Sequence, residues 1–279
     1  MARTRVVAGL WNSARQVLER VPFEPRAPTL EGVRYRASRG RGVAPRVDVY
    51  VPDTPSETQR GRASVLVLHG GAFLVGSRRQ RSVRYVATRL VQAGFVVGCA
   101  DYRLLFRGGP LTAQLEDVAA LTAFWRARSG EWSLDPERVA LMGMSAGATL
   151  ALLHAASLGA EERLHALVSV YALYDLVAAN GPGGRLWRTA LTGSGREETW
   201  AARSPLAVAE RIEAPVLALH GTRDDLVPYE QVERFCAVRE RSGRDTTLVT
   251  FDGEPHGWLQ NPSAAAAESS MDQVIRWLR

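Results

Sequence analysis

Apolar positions in this chain follow two alternating patterns. Short continuous blocks at residues 64–68, 95–100, 139–142, 165–171, 215–219 and 246–251 have the length and composition of strands buried on both faces. Residues 77–93, 112–128, 228–242 and 263–279, and the run that begins at Ala146 and continues past His154, read as helices. Strand and helix in strict alternation build a mostly parallel sheet with helices on both faces. Residues 31–38 and 46–51 differ, because apolar and polar positions alternate there. They predict an antiparallel pair at the sheet edge, turning at Gly40 and Gly42.

Two stretches break the rhythm. Near the start, Val7, Leu10, Trp11, Ala14, Val17, Leu18 and Val21 recur at helical spacing, and Pro22, Pro25 and Pro28 follow as an extended linker. This amphipathic helix could lie over a pocket, pack on another subunit in a homo-oligomer, or rest on a membrane surface. The interval 176–213 is too long for an ordinary connection and follows a strand end, where ligands bind in such sheets. A small cap is expected there. The chain thus divides into residues 1–28, helix and linker, and residues 29–279, one α/β domain with a cap insertion at about 176–213.

Composition narrows the function classes. All 35 basic residues are arginine, giving a net charge of +6, but they are scattered from Arg3 to Arg279. Arg78, Arg79, Arg81, Arg84 and Arg89 are the densest group and lie opposite Val83, Val86, Ala87 and Leu90, which reads as a solvated helix face. No helix-turn-helix, zinc-finger or RNA-binding signature is present, so no nucleic acid partner is expected. Cys99 and Cys236 lack the spacing of a disulfide framework or a metal site, and no histidine pair has zinc-ligand spacing. Neither a metal nor a cofactor is expected. No apolar run approaches the roughly 18 residues of a membrane span. The first residues resemble a signal peptide only until Asn12, Ser13 and Arg15 interrupt them. A cytoplasmic location is the expectation.

Reactive residues stand just past the strand ends, which converge on one crevice in an open α/β sheet. Gly143-Met-Ser-Ala-Gly147 joins a strand to a helix with Ser145 at the apex, where small flanking residues relieve crowding and the helix N-terminus faces the serine oxygen. Asp224 and Asp225 follow another strand, and His256 follows the last. His69-Gly70-Gly71 follows the strand of residues 64–68. Nucleophile, acid and imidazole in that chain order are what acyl transfer requires. Serine attacks only when a base takes its proton, and an imidazole, titrating near about 6.5, can do so and later protonate the leaving group. His69 and His220 precede glycine at strand ends and read as loop-ordering residues, while His154 and His165 read as structural.

With His69-Gly-Gly-Ala-Phe73, Asp101-Tyr-Arg-Leu104, Gln114-Leu-Glu-Asp-Val118, Asp135-Pro-Glu-Arg138, Gly143-Met-Ser-Ala-Gly147, His220-Gly-Thr-Arg-Asp224 and His256-Gly257, the chain resembles the α/β-hydrolase superfamily. Within it, the nearest group is the hormone-sensitive-lipase-like esterases with the related alkyl-ester and formamide hydrolases. The resemblance runs from about residue 45 to the C-terminus. It departs at Ala72 (usually a third glycine), Phe73 (usually Trp), Met144 (often acidic) and Leu105-Phe106-Arg107 (often Ala-Pro-Glu). It implies an α/β-hydrolase fold, a mostly parallel central sheet with a small cap, and a triad of Ser145, His256 and Asp224. Asp225 would instead cap the next helix or face solvent, and Asp175 is the outside candidate for the acid. Gly71, Ala72 and Ala146 would donate their N–H groups to an oxyanion. Phe73, Trp187, Trp200 and Trp258 are candidates for the substrate pocket, or equally for ordinary core packing. The implied activity is hydrolysis of small carboxylic esters through an acyl-enzyme. A formamide or amide hydrolase fits the same loop and elbow, and a ligand receptor on the same scaffold, as in the gibberellin receptors, would lack the catalytic histidine.

Overall fold

The structure, a computed structural model, describes residues 23–37, 44–54, 60–178 and 184–279. The N-terminal helix expected at 3–21 and the turn at Gly40 and Gly42 lie outside them.

In chain order the strands are β1 (Leu30–Arg34), β2 (Arg46–Tyr50), β3 (Arg62–Leu68), β4 (Val96–Ala100), β5 (Leu134–Met144), β6 (Ala166–Val170), β7 (Val216–Gly221) and β8 (Thr246–Phe251). They form one sheet in the order β1-β2-β4-β3-β5-β6-β7-β8. Only β2 runs against its neighbours, and β4, β3, β5, β6, β7 and β8 are parallel. The winding reverses between β3 and β5, the position at which ligand crevices open in doubly wound sheets. The residues just past these two strands are His69-Gly-Gly and Ser145.

Helices α1 (Arg81–Gln92), α2 (Leu111–Arg126), α3 (Ala146–Ala155), α4 (Gly184–Thr192), α5 (Glu197–Ala202), α6 (Pro205–Val208), α7 (Glu230–Arg241) and α8 (Ala265–Leu278) complete the fold. The period-2 alternation of the strands sorts the core into two layers. Leu66, Leu68, Val139 and Leu141 point into the layer covered by α2, α3 and α7. Val65, Val67, Ala140 and Met142 point into the layer covered by α1 and α8. Strands buried on both faces have no polar side, which is why their sequences are continuous apolar blocks. The interval 176–213 holds the three short helices α4, α5 and α6.

Three arginines depart from the surface role that composition suggests. Arg78 lies before α1, and its side chain is nearly buried. Its Nε donates to Asp48 of β2 (2.8 Å) and its Nη1 to Asp101 past β4 (2.5 Å). The expected solvated face therefore fails at Arg78, because two carboxylates at adjacent strands need a shared cation. Arg89 of α1 likewise pairs with Asp272 of α8 at 2.7 Å. Arg239 of α7 is fully buried and donates to the carbonyls of Ala209, Ile212, Ala214 and Asp245 and to Thr246 Oγ1. It fastens the segment leaving the 176–213 interval to the starts of β7 and β8.

His154 of α3 is buried, with Nε2 3.1 Å from Thr122 Oγ1 of α2. Burial, aided by the charge of Arg126, pushes its imidazole down to about 4. The unfolded chain takes up this proton near pH 6.5, about two units before the folded one. The neutral ring's contribution is therefore complete above about pH 6.5 and is lost as pH falls toward 4, to a total of about 3 kcal/mol. Urea unfolding across this window is expected to show wild type losing about that much more stability than His154→Gln. Identical pH slopes for the two proteins would contradict the assignment.

Candidate active site

The turn between β5 and α3 is built by forced proximity. Ser145 has φ 51° and ψ −120°, a region that a residue with a Cβ occupies only under restraint. A Cβ on Gly143 would lie 2.3 Å from Ala148 N, and one on Gly147 would lie 2.5 Å from the carbonyl oxygens of both Leu68 and His69. The first glycine lets α3 fold back over its own strand, and the second lets α3 press on the end of β3. Ser145 N–H donates to Val170 O at 2.9 Å, which ties the apex to β6.

Three side chains from separate strand ends meet here. His256 Nε2 is 3.0 Å from Ser145 Oγ, and His256 Nδ1 is 2.7 Å from Asp224 Oδ2. A carboxylate only accepts, so Nδ1 carries the hydrogen and the Nε2 lone pair is left facing the serine hydroxyl. Asp224 Oδ1 accepts the N–H groups of Leu226 (3.0 Å) and Val227 (2.8 Å). His220 Nε2 donates to Val227 O and lies 3.3 Å from Asp224 Oδ2. Burial opposes ionisation of Asp224, but the adjacent His256 and His220 outweigh it and hold its carboxyl well below the usual carboxylate range. A permanently charged acceptor is thus fixed behind the imidazole.

The other aspartates are placed elsewhere. Asp225 is half-buried and caps no helix, since Tyr229 stands at the N-terminus of α7. Asp175 accepts from Val177 N–H and pairs with Arg234.

The loop after β3 lies against the serine: a Cβ on Gly70 would be 3.3 Å from Ser145 Cβ. Gly71, Ala72 and Phe73 all have positive φ (132°, 53° and 65°), so the chain coils tightly here. Among the described residues no protein group accepts from the N–H of Gly71, Ala72 or Ala146. His69 supports the loop from beneath, bonded through Nδ1 to Gly70 O (2.8 Å) and stacked on Tyr102 at 4.2 Å. Tyr102 in turn donates to His69 O.

The neighbouring motif residues now have physical roles. Asp101 binds Arg78, Arg103 pairs with the buried Asp117, and Gln114 donates to Gly109 O and Phe73 O.

The four aromatic candidates separate. Trp187 of α4 donates its Nε1–H to Ala72 O (3.0 Å) and packs on Phe73 (6.0 Å between rings), so both belong to the oxyanion loop's surroundings. Trp200 is buried in its own segment, bonded to Ser194 O and covered by Arg188. Trp258 lies in the core between Tyr171 and Phe251 with its N–H on Ser270. These two indoles thus follow the core-packing alternative, with their N–H groups on buried acceptors. Tyr171, which packs on His256, was not among the candidates because it ends an apolar strand block. Among the described residues no cluster of His, Cys, Asp or Glu could hold a metal.

This sheet order, with Ser145, Asp224 and His256 after β5, β7 and β8, is an α/β-hydrolase fold. Residues 47–238 match the BD-FAE family, and the chain belongs to it. It is 26% identical over 254 residues to a probable isoprenylcysteine alpha-carbonyl methylesterase ICME of Oryza sativa subsp. japonica, covering 82% of this chain and 60% of the relative. It is 28% identical to esterase LipC of Mycobacterium tuberculosis, covering 77% of this chain and 59% of the relative. The chain thus spans about 60% of the length of such relatives. A truncated carbohydrate esterase from gut microbiota superposes with a TM-score of 0.75 at 20% identity, over 93% of this chain and 99% of that one. Thermogutta terrifontis esterase 2 phosphoramylated by tabun gives 0.72 at 21% identity, over 92% and 97%. At such identities these two speak for the fold.

The elbow's steric demand is testable. Gly143→Ala and Gly147→Ala are expected to lower the melting temperature by several degrees or abolish soluble expression, since backbone atoms occupy the added methyl's place. Gly159→Ala, with open space at its Cβ and φ −75°, is expected to melt at or slightly above wild type.

Proposed function

We propose that the protein is a serine hydrolase that cleaves small carboxylic esters through an acyl-enzyme. The observation that carries this reading is the row Ser145 Oγ, His256 and Asp224, spaced at 3.0 and 2.7 Å on a strained turn. Ser145 Oγ attacks the ester carbonyl as its proton passes to His256 Nε2, and the imidazolium formed is stabilised by the carboxylate of Asp224. The carbonyl oxygen, now negative, accepts from the amides of Ala146 and of Gly71 and Ala72, a contribution of about 3 kcal/mol per donor. His256 then protonates the departing alcohol. Water repeats the sequence on the acyl-serine and regenerates the enzyme.

The alcohol or acyl substituent has apolar surface available. Val75, Phe106 and Leu186 are strongly exposed, the last two at 80%. Each sits on a segment bonded to the oxyanion loop: Val75 N–H to Gly71 O, Leu105 N–H to Phe73 O, and Trp187 to Ala72 O. These contacts support a substrate with an apolar group. Names of relatives, a methylesterase and an esterase, support the ester class. Among the described residues no helix is long and apolar enough to cross a membrane, and a cytoplasmic location remains part of this proposal. A receptor on this scaffold would have no use for a serine hydrogen-bonded to an oriented imidazole.

Wild type is expected to hydrolyse p-nitrophenyl acetate and to be labelled at Ser145 by a fluorophosphonate. Ser145→Ala is expected to remove both, and Asp224→Asn to lower kcat by about 10⁴ through the wrong imidazole tautomer. Turnover of N-formyl aromatic amines with none of the ester would transfer the assignment to formamide hydrolysis. Absence of labelling would end the hydrolytic reading.

A further inference from the structure

The imidazole of His256 has one strong restraint at its Nδ1 end and none of comparable strength at the other. A ring held by a carboxylate at one nitrogen (2.7 Å) and only by a neutral hydroxyl at the other (3.0 Å) can still rock about its Cβ–Cγ bond. What limits that rocking is aromatic. The ring of Tyr171 lies 4.9 Å from that of His256, at 58°. Behind Tyr171, Trp258 packs edge-on at 4.8 Å, itself anchored by its N–H to Ser270. Tyr171 is buried, and among the described residues its hydroxyl has no hydrogen-bond partner. Its contact with His256 is therefore made by the ring and not by the hydroxyl.

Its backbone is equally unusual. Tyr171 has φ 40°, costly for a bulky residue and maintained only where neighbours over-determine it. They do so here. Tyr171 N–H donates to Leu219 O of β7 (2.8 Å), and the preceding Val170 O accepts Ser145 N–H (2.9 Å). Leu173 N–H donates to Thr149 Oγ1 of α3, which also donates to Leu173 O. The N–H groups of Tyr174 and Asp175 both donate to Gln231 Oε1 of α7. One strained dipeptide, Val170-Tyr171, therefore holds the nucleophile by its backbone and the base by its ring.

We propose that Tyr171 is a positioning residue whose aromatic face, set by this strained turn, keeps His256 Nε2 aimed at Ser145 Oγ. The kinetic part of this inference rests on the ester-hydrolase reading; the geometric part does not.

Tyr171→Gly and Tyr171→Phe test it together. Glycine accepts φ 40° without strain, so that replacement removes the ring and adds no backbone conflict. Phenylalanine removes only the idle hydroxyl. Steady-state hydrolysis of p-nitrophenyl acetate is expected to show the Phe variant within twofold of wild type. The Gly variant is expected to lose at least tenfold in kcat with KM changed less than twofold. Proton NMR, with His256→Asn for assignment, is expected to show the low-field Nδ1–H of His256 in wild type and Phe and its loss to exchange in Gly. If Tyr171→Gly fails to fold, Tyr171→Leu carries the same comparison. A ring-less variant with wild-type kcat and a sharp resonance would overturn the proposal. So would a Phe variant as impaired as Gly, or an effect confined to KM. Wild type that turns over no ester, with a resonance that Gly loses, would sink the hydrolase reading and support the positioning role.

Discussion

The structure depends on how closely α3 approaches the ends of β3 and β5. Backbone packs on backbone there, at separations that leave no room for a Cβ at residue 143 or 147. The consequence is a serine in a conformation it would not otherwise adopt, φ 51° and ψ −120°, with a helix N-terminus directly behind it. Strain of this kind costs roughly 1–3 kcal/mol and persists only where the surroundings repay it. The two core layers do so, each closed by helices against strands buried on both faces.

Around this elbow the polar residues are arranged to make loops rigid. Tyr102 stacks on His69 and donates to its carbonyl, Gln114 and Trp187 hold carbonyls of the loop after β3, and Gln231 takes two amides of the turn after β6. None of these groups is placed to exchange a proton with Ser145. Their effect is to remove conformational freedom from these loops, which is what the proposed electrostatic preorganisation of an ester hydrolase would demand. Asp224 applies the same logic with a full charge, fixed by two backbone amides and two imidazoles.

Much of this was legible in the chain. Parallel strands buried on both faces write continuous apolar blocks, so the order of elements could be read directly. Ser145, Asp224 and His256 stood out because each follows such a block. Side-chain direction was harder. For Trp200 and Trp258 the sequence left pocket and core packing open, because an indole N–H settles wherever an acceptor is buried, here Ser194 O and Ser270 Oγ. Arg78 looked like surface by its neighbours, and its burial depends on two carboxylates brought together only by the pairing of β2 with β4. Tyr171 was hidden by its own apolarity, because a strand's last residue announces nothing about a positive φ. Strand ends carried extra residues too. β5 begins at Leu134, ahead of the apolar block, since Arg62 pairs with it across an irregular register.

Arg239 gives the molecule a hinge point far from its chemistry. Its guanidinium gathers carbonyls at the beginnings of β7 and β8, whereas Asp224 and His256 hang from the opposite ends of those strands. Six residues of strand separate the two ends, a lever of about 20 Å. A small splay of the two strands at the arginine is multiplied along that lever and opens the 2.7 Å contact between acid and imidazole.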